Sequence, residues 1–379
     1  MSQFTRRGFS VAAAVTLLST TSPVFAQGSV SGAPIKVGVL YSSTGPLALT
    51  GQAQRDAYLL AQKVVNQKGI NGRPIELVME DDASNPDTAV TKLNSLLAIP
   101  GITAVLGPSG LAPSVATGGI TSAKNIPQIV TAGIGLPAER ERKCVFHMMP
   151  PQQINAAGLL AYADGVKAKR VAVLYDSGFG TAVMNAVKEQ GAKYPIEFVA
   201  AEKYDLAATD MSSQSAKVKA ANPDLVFVLS ASPTPFRNLR QLKVSAPLIT
   251  PIAAAVYETV KAMGDSAEDV IFVDYLVPET PRAREKEFVD AFQAEYKRLP
   301  KNFEAAAWES VMLLTKTLRQ VGPDAGSDKV CAAIRGKYAG AHTDYDFSQP
   351  DMTGIRVSSF VYSQWKGGKF TRLPFVAKD

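Results

Sequence analysis

The sequence predicts an α/β protein made of two similar lobes, each a mostly parallel sheet flanked by helices. Short apolar, β-branched runs alternate with longer stretches of helical periodicity, which is typical of parallel strands joined by crossover helices. The lobes open with matching strands, Lys36-Val-Gly-Val-Leu-Tyr41 and Arg170-Val-Ala-Val-Leu-Tyr175, each followed by a Ser/Gly loop and a helix. A chain of 379 residues that is 46% hydrophobic is long enough for two cores. These observations favour an internal repeat of one fold.

The first 26 residues have the features of an export signal. They carry two positive charges and no acid, and Thr5-Arg-Arg-Gly-Phe-Ser10 resembles the twin-arginine motif. The apolar stretch 11–18 is shorter than the roughly 20 residues that span a bilayer. Small residues precede a predicted cleavage after Ala26, and an uncleaved anchor is the alternative. Because Gln27 rather than Cys follows, a lipid anchor is not indicated, and we expect a periplasmic protein.

The elements of the two lobes alternate in the same way. In the first lobe the runs predict strands at 35–41, 75–80, 102–106 and 126–131. Its predicted helices are 52–66, 87–98 and 112–123. In the second lobe the predicted strands are 171–175, 196–200, 225–229, 248–250 and 270–273. Its predicted helices are 155–165, 180–190 and 236–243. Because helices separate most of the strands, both sheets should be mainly parallel.

The last hundred or so residues become helical and end in a predicted hairpin. Helical patterns cover 281–298, 305–320 and 328–336, and strands at 356–365 and 369–375 turn at Gly367-Gly368. Because a helical block needs a sheet to cover, we assign it to lobe one and the hairpin to lobe two. Lobe one is then 27–148 with 278–345, and lobe two is 149–277 with 346–379. Three crossings make a hinge, and a hinge between open α/β lobes creates a cleft.

Composition argues against several functional classes. The formal charge of +6 is spread along the chain without a basic run that interleaves with aromatic residues, so a nucleic-acid partner is not expected. Two Cys and two His are too few for a zinc cage or an iron–sulfur cluster. No phosphate-binding or metalloprotease motif occurs. We therefore expect neither a metal nor a cofactor.

Two segments resemble catalytic motifs without completing them. Gly107-Pro-Ser-Gly-Leu111 lacks the second glycine of a nucleophile elbow. Gly133-Ile-Gly-Leu-Pro-Ala138 fits the letters of a dinucleotide fingerprint, but it follows a fourth strand and no acid stands about 20 residues later. We predict a binding protein rather than an enzyme.

A series of short motifs stands in order along the first lobe. They are Lys36-Val-Gly-Val-Leu-Tyr-Ser-Ser-Thr-Gly-Pro46, Val64-Val-Asn66, Lys68-Gly-Ile-Asn-Gly-Arg73, Glu80-Asp-Asp82, Asn85-Pro86, Val105-Leu-Gly-Pro108 and Asn125-Ile-Pro127. Their order and spacing resemble the periplasmic solute-binding receptors of the branched-chain amino acid ABC transporters, which have the type I periplasmic binding fold. The resemblance extends over nearly all of residues 34–379. It implies a monomeric two-lobe trap that closes on a small ligand, an inner-membrane permease as partner and no catalysis. A ligand sensor for a signalling system is the alternative.

The loops at the carboxyl ends of the strands should form the ligand site. They are 42–50, 107–112, 131–137, 176–181, 230–234 and 251–256. Ser109, Gly110 and Leu111 precede the helix predicted at 112–123, whose N-terminus offers backbone N–H groups and a partial positive charge. This loop is our candidate seat for a ligand carboxylate, as the resemblance also implies, and a simple turn is the alternative.

The resemblance also identifies the positions that hold an α-amino acid in this family. They correspond here to Leu111, Gly135, Ala231 and Ile252, and none carries the hydroxyl, tyrosine or carboxylate that the family uses. Gly133 stands where the family donates backbone groups. Without the acid, a ligand ammonium would be buried unpaired, which is costly. An amino-acid ligand is therefore not favoured, with a slip of the alignment as the alternative.

Small apolar residues replace the missing polar groups. Those expected to line the slot are Leu111, Ile134, Ala231, Ile252 and Ala253. Phe179 stands where the family stacks an aromatic ring on its ligand, and Thr50 and Ser232 complete the predicted site. Such a pocket suits a flat aromatic body with one polar end. We expect an aromatic acid or aromatic keto acid, with a branched-chain amino acid or a branched aliphatic acid as the rival.

Three further residues leave alternatives open. His147, at the first crossing, either packs at the hinge, which we favour, or donates to the ligand carboxylate. Cys144 and Cys331 are an even pair in an oxidising compartment, far apart in the chain. We expect two buried free thiols, with a disulfide as the alternative.

Overall fold

The computed structural model describes Met1 and residues 30–135, 140–350 and 352–379. The predicted leader beyond Met1, with its cleavage site after Ala26, lies outside the described residues, as do positions 136–138 of the glycine loop. None of the described helices combines the length and the hydropathy that a membrane crossing requires.

Lobe one is built on a parallel sheet. Its strands are β1 (Ile35–Tyr41), β2 (Ile75–Asp81), β3 (Ile102–Leu106), β4 (Gln128–Val130) and β5 (Val145–His147). Their order is β2-β1-β3-β4-β5, and all neighbours run parallel. Most of β1 is buried, as expected for a central parallel strand covered on both faces. Because β1 lies between β2 and β3, the chain leaves β1 toward one edge of the sheet and leaves β3 toward the other edge. Open α/β sheets bind ligands at the carboxyl ends of two such strands.

Lobe two repeats this strand order and adds a hairpin. Its parallel strands are β6 (Arg170–Asp176), β7 (Glu197–Tyr204), β8 (Leu225–Leu229), β9 (Leu248–Thr250) and β10 (Ile271–Asp274). The hairpin strands are β13 (Val361–Lys366) and β14 (Lys369–Arg372), and β11 (Lys337–Ala339) and β12 (Asp344–Asp346) lie outside the sheet of lobe two. The second sheet has the order β7-β6-β8-β9-β10-β13-β14, with the hairpin β13–β14 antiparallel, and β11 pairs with β12 separately. The predicted turn at Gly367-Gly368 joins β13 to β14.

The helices connect the strands and cover both sheets. They are α1 (Ala48–Val65), α2 (Pro86–Leu97), α3 (Leu111–Ala123), α4 (Gln152–Gly165), α5 (Phe179–Gly191), α6 (Ser212–Ala220), α7 (Thr234–Gln241), α8 (Tyr257–Met263), α9 (Lys286–Tyr296), α10 (Asn302–Val321) and α11 (Ser327–Ile334). Asn85 shows why α2 begins where it does: its side chain accepts from the backbone N–H groups of Asp87 and Thr88, and Pro86 opens the helix.

The predicted two-sheet α/β fold is confirmed, and the elements that were not predicted have weak local signals. α6 buries only Ser215 and Val218, so it lacks the apolar stripe by which a helix is recognised. β5, β11 and β12 are three residues long, and α8 has seven residues. Such short elements form because a neighbouring element pairs with them or covers them.

The helical block after β10 covers lobe one, with α10 packed along α1. At this second crossing, the Lys301 ammonium lies 2.5 Å from Asp274 Oδ2 and donates to the Leu276 carbonyl oxygen at 2.8 Å. Both side chains of the ion pair are buried. Asp274 ends β10 of lobe two and Lys301 precedes α10 on lobe one, so this pair joins the lobes at the hinge.

The third crossing lies later than the boundary predicted at 346. The segment after β12 stays with lobe one, because the His147 N–H donates to the Met352 carbonyl at 3.0 Å and the Gly354 N–H donates to the His147 carbonyl at 3.3 Å. The chain therefore changes lobe between Gly354 and Val361, where β13 begins. Pairing with β5 in the folded protein, and not a local sequence signal, determines to which lobe this segment belongs. His147 is fully buried beside this segment, which supports the packing role.

Cys144 and Cys331 form a disulfide, which corrects the expectation of free thiols. Their Cα atoms are 5.2 Å apart, within the usual range for this bond. Cys144 precedes β5 and Cys331 lies on α11, so the bond fastens the returning helical block to the sheet of lobe one. The pairing depends on that return of the chain, which residue spacing does not reveal.

Candidate functional site

A cavity of about 790 Å³ lies in the cleft between the lobes. Lobe one contributes the start of α1 and the segment before α10, and lobe two contributes the loops after β6, β8 and β9, the start of α8 and the hairpin. Four predicted site residues line the cavity: Thr50, Phe179, Ala231 and Ala253. The cavity therefore lies where the loops leave the carboxyl ends of parallel strands.

Two acids hold the loop between β1 and α1. Asp81 accepts from the Ser43 N–H at 2.9 Å and from the Thr44 hydroxyl at 2.8 Å. Asp82, which is buried, accepts from the Ser42 hydroxyl at 2.6 Å. Burial works to raise the pKa of Asp81, but the hydrogen bonds that its carboxylate accepts outweigh burial and lower this pKa to about 2. Burial raises the pKa of Asp82. The loop is thus shaped in advance of ligand binding.

The N-terminus of α3 lies beside this loop and carries no side-chain cap. Gly110 is the N-cap residue, and a Cβ there would lie 2.6 Å from Cδ1 of Leu47, so a larger residue must displace Leu47, which lines the cavity. Ser109 Oγ accepts from the Ser42 N–H at 3.2 Å, so its hydroxyl can still donate to a ligand. Leu111 opens the helix and is 42% exposed. The N–H groups of this first turn suit an anion.

The loop after β4 packs mainly within lobe one. A Cβ on Gly133 would lie 2.0 Å from the Pro150 carbonyl oxygen, so this close approach to the first crossing requires glycine. The Gly135 carbonyl accepts from the Gln153 amide at 3.2 Å. Ile134 is 2% exposed and packs in a buried cluster of lobe one. Its side chain therefore belongs to the core rather than to the ligand slot that we predicted.

The N-terminus of α5 differs from that of α3 because it is already capped. The buried Asp176 carboxylate accepts from the N–H groups of Gly178 at 2.9 Å and Gly180 at 2.8 Å. A second anion at this end would be repelled by the carboxylate. Phe179, the first residue of α5, is partly buried and lines the cavity. Of these two helix ends, α3 is the one that can receive a ligand anion.

The loops after β8 and β9 present small side chains to the cavity. Ala231 and Ala253 line it. Ser232 Oγ instead accepts from the Thr234 N–H at 3.3 Å, where α7 begins. Ile252 is 3% exposed and packs in the main core. Ser232 and Ile252 therefore shape their loops, whereas the alanines leave the space that a ligand can fill.

Sequence reasoning missed one wall of the cavity, formed by Tyr257, Leu299, Phe303 and Trp365. Tyr257 opens α8 and Trp365 lies on β13, and their ring centroids are 6.4 Å apart in an edge-to-face arrangement. Tyr257 follows β9 closely and could have been found from its place after a strand. Leu299 and Phe303 come from the remote segment around the start of α10, and no local signal marks that segment as part of the cleft.

The charged groups at the cavity are paired or solvent-exposed. Lys301 is held in the hinge ion pair. Arg298 pairs with Asp56 at 2.9 Å and with Glu304 at 2.5 Å. Glu304 is buried, while Glu258, the other acid among the described residues that line the cavity, is exposed. Among the described residues that line the cavity, every buried carboxylate is therefore already paired with a cation and is not available to a ligand ammonium.

We expect Asp81→Asn to lower the free energy of unfolding more at about pH 6 than at about pH 3. The folded-state pKa of about 2 lies below the ordinary 3.8, so this carboxylate stabilises the fold above pH 3.8 and loses that effect as the pH falls toward 2. Urea unfolding at both pH values measures the difference. Asp290→Asn, which removes only the exposed pair with Lys286, is the control. A loss of the same size at both pH values would contradict this assignment.

Two hinged α/β lobes with a ligand-sized cavity between them define a two-lobed solute-binding protein. This chain belongs to the periplasmic binding protein family, whose match covers residues 34–369. It is similar to binding proteins of the branched-chain amino acid transport type. Its relatives are solute-binding proteins rather than enzymes, in agreement with the prediction from the sequence. The family is exported and periplasmic.

The chain is similar to known proteins over most of its length. The leucine-, isoleucine-, valine-, threonine- and alanine-binding protein of Pseudomonas aeruginosa is 27% identical over 336 residues, which are 82% of this chain and 84% of that protein. The leucine-binding protein LivK of Thermotoga maritima has a TM-score of 0.79 at 20% identity, covering 91% of this chain and 99% of its own. A solute-binding protein of R. palustris, solved in complex with benzoate, has a TM-score of 0.76 at 21% identity, covering 91% and 98%.

Proposed function

We propose that this protein captures a small carboxylate with an aromatic body and presents it to an ABC-transporter permease in the inner membrane. The observation that carries the proposal is the combination of apolar walls with the uncapped N-terminus of α3. Ser109, Gly110 and Leu111 do not line the cavity themselves, but Gly110 lies against Leu47, which does. The acids that line the cavity are paired or exposed. An anion is therefore favoured, whereas a buried ammonium would lack the counter-charge that offsets its desolvation.

In this proposal the ligand carboxylate lies against the first turn of α3. Ser109 supplies a hydroxyl, and the backbone around Gly110 supplies N–H groups without interference from a side chain. The ring lies between Thr50 of lobe one and Phe179 of lobe two, with Ala231 beside it. Stacking on an aromatic ring suits a flat apolar body, and charge-assisted hydrogen bonds fix its polar end.

Closure of the hinge completes the site. Leu49 and Leu111, both on lobe one, are 70% and 42% exposed, and lobe two would cover such side chains when it closes. Micromolar affinity corresponds to about −8 kcal/mol, which a carboxylate seat and one buried ring can supply. The closed shape is the state that a permease would recognise, and a sensory partner would recognise the same state.

A branched-chain amino acid is the second candidate. Glu258 lines the cavity six positions after Ile252, so a change at closure could bring an acid toward a ligand amine. The Pseudomonas aeruginosa relative is named for amino acids of this kind. The exposed state of Glu258 and the apolar side chains around it favour the aromatic acid.

A thermal-shift panel on the purified protein separates the two candidates. We expect benzoate and phenylpyruvate to raise the melting temperature, and leucine and valine to leave it unchanged. Benzamide, which has the same ring without a charge, is the control for the carboxylate seat. A response to leucine or valine without a response to the aromatic acids would reject the proposal in favour of the amino-acid candidate.

A further inference from the structure

We infer that the cleft holds an outer compartment that accepts an apolar extension of the ligand, so that arylalkanoic or two-ring carboxylates are bound more tightly than single-ring acids. This inference rests on the proposed function, because it extends the same site. The outer compartment is defined by Ala53, Val256, Tyr257, Leu299, Phe303 and Trp365, all of which line the cavity. The inner part is the region around Thr50, Phe179, Ala231 and Ala253.

The strand order gives the lateral separation of the residues of lobe two that line the cavity. On lobe two its lining residues follow β6, then β8, then β9, and finally lie on β13, which are in that lateral order in the sheet with β10 between β9 and β13. Four steps between adjacent strands span roughly 19 Å. Its volume of about 790 Å³ also falls in the upper half of the range for drug-sized ligands. One ring beside Phe179 leaves the outer compartment unfilled.

The walls of the outer compartment are held in place before any ligand arrives. The Tyr257 hydroxyl donates to Glu279 at 2.9 Å. The rings of Tyr257 and Trp365 both pack edge-to-face on Phe370, at 5.3 and 4.9 Å between centroids. The Lys301 ammonium lies 3.8 Å from the centroid of the same Phe370 ring. A surface fixed in this way loses little freedom when a ligand covers it.

The charges at this end of the cavity indicate that the extension is apolar. Lys301 is bound to Asp274 and to a backbone carbonyl, and Arg298 is bound to Asp56 and Glu304. Lys301 and Arg298 are thus already paired with carboxylates, whereas Lys261, the other cation among the described residues that line the cavity, is exposed on α8. A second ligand carboxylate here would have to compete with these acids, whereas a methylene chain or a second ring would bury apolar surface against Val256 and its neighbours.

Isothermal titration with benzoate, 3-phenylpropanoate and 5-phenylpentanoate tests the inference on the intact protein. Each methylene that becomes buried should tighten binding by about fourfold, so we expect 5-phenylpentanoate to bind at least tenfold more tightly than benzoate. Of the two tryptophans, Trp308 is buried and Trp365 lines the outer compartment. The longer acid should therefore change the tryptophan emission more than benzoate does, and Trp365→Phe should remove that change.

Ala53→Phe tests the position of the extension, because it places a ring in the outer compartment. It should weaken 5-phenylpentanoate at least tenfold more than it weakens benzoate. Arg55→Phe adds the same ring to an exposed position of α1 and is the matched control. Val256→Phe, from the opposite wall, gives a second measurement if Ala53→Phe does not fold.

The outcomes separate this inference from the proposed function. If benzoate binds and the longer acids bind no more tightly, the outer compartment is rejected and the proposed function stands. If no aromatic carboxylate binds while leucine does, the proposed function itself is rejected. Equal losses for both acids in Ala53→Phe would also overturn the placement of the extension.

Discussion

Replacing Ser109 and Gly110 together by valine should weaken the binding of benzoate at least a hundredfold. The valine at 110 would displace Leu47, since its Cβ would lie 2.6 Å from Leu47 Cδ1, and it would cover the N–H groups of the first turn of α3. The valine at 109 would remove the hydroxyl. Hydrogen bonds to a charged group contribute about 1.5–3 kcal/mol each, and about 1.4 kcal/mol corresponds to a factor of ten. Isothermal titration calorimetry measures the loss.

A matched control lies on the same helix. Gly119→Val adds an identical side chain at an exposed position of α3, and it should leave the affinity for benzoate unchanged. The double variant also loses the hydrogen bond from the Ser42 N–H, so its melting temperature is measured alongside to show that it is folded. If the folded double variant bound benzoate with full affinity, the first turn of α3 would not be the carboxylate seat. A leucine titration applies the same test to the amino-acid candidate, whose carboxylate would need a seat as well.

Lys301→Met should lower the free energy of unfolding by about 3–5 kcal/mol, because it removes one partner of a buried ion pair. The Asp274 carboxylate would stay buried without its cation, retaining the hydroxyl of Ser363 at 2.9 Å and nearby backbone N–H groups. Since this pair joins lobe two to lobe one at the second crossing, the loss should affect both lobes together. Urea unfolding followed by far-ultraviolet circular dichroism measures it.

Two variants show whether the effect comes from burial. Lys286→Met removes a surface pair with Asp290, in which both side chains are more than half exposed, and should change the unfolding free energy little. Removing both partners, in Lys301→Met with Asp274→Leu, should recover part of the loss, because no unpaired charge then remains buried. If Lys301→Met and Lys286→Met had effects of the same size, the hinge pair would not stabilise the protein as we infer.

The backbone architecture could be predicted well because its signal is local. β1 and β6 are mostly apolar strands with the same pattern, and the helices that follow them, α1 and α5, each bury one apolar face. The repeat then appears in the structure as the same strand order in both lobes. α6 was not predicted because it buries few residues, and β5 was not predicted because it is short. Periodicity identifies an element only when the element is long enough to repeat its pattern.

The site could be predicted in part, for the same reason. Loops at strand ends can be located once the strands are known, and Thr50, Phe179, Ala231 and Ala253 do line the cavity. Which side chain of a loop faces the cleft is a different question. The side chains of Ile134 and Ile252 point into the cores of the lobes, because burial in a core stabilises an apolar side chain of a loop.

The sequence by itself determined the fold class, the two-lobed repeat and the family. Only the tertiary structure decided the Cys144–Cys331 bond, the later third crossing and the wall that Phe303 and Trp365 form. The physical reason is the distance along the chain between the residues that interact. Strands and helices are predicted from patterns in neighbouring residues. The disulfide, the third crossing and the outer wall depend instead on segments that meet only after the chain has crossed between the lobes and packed.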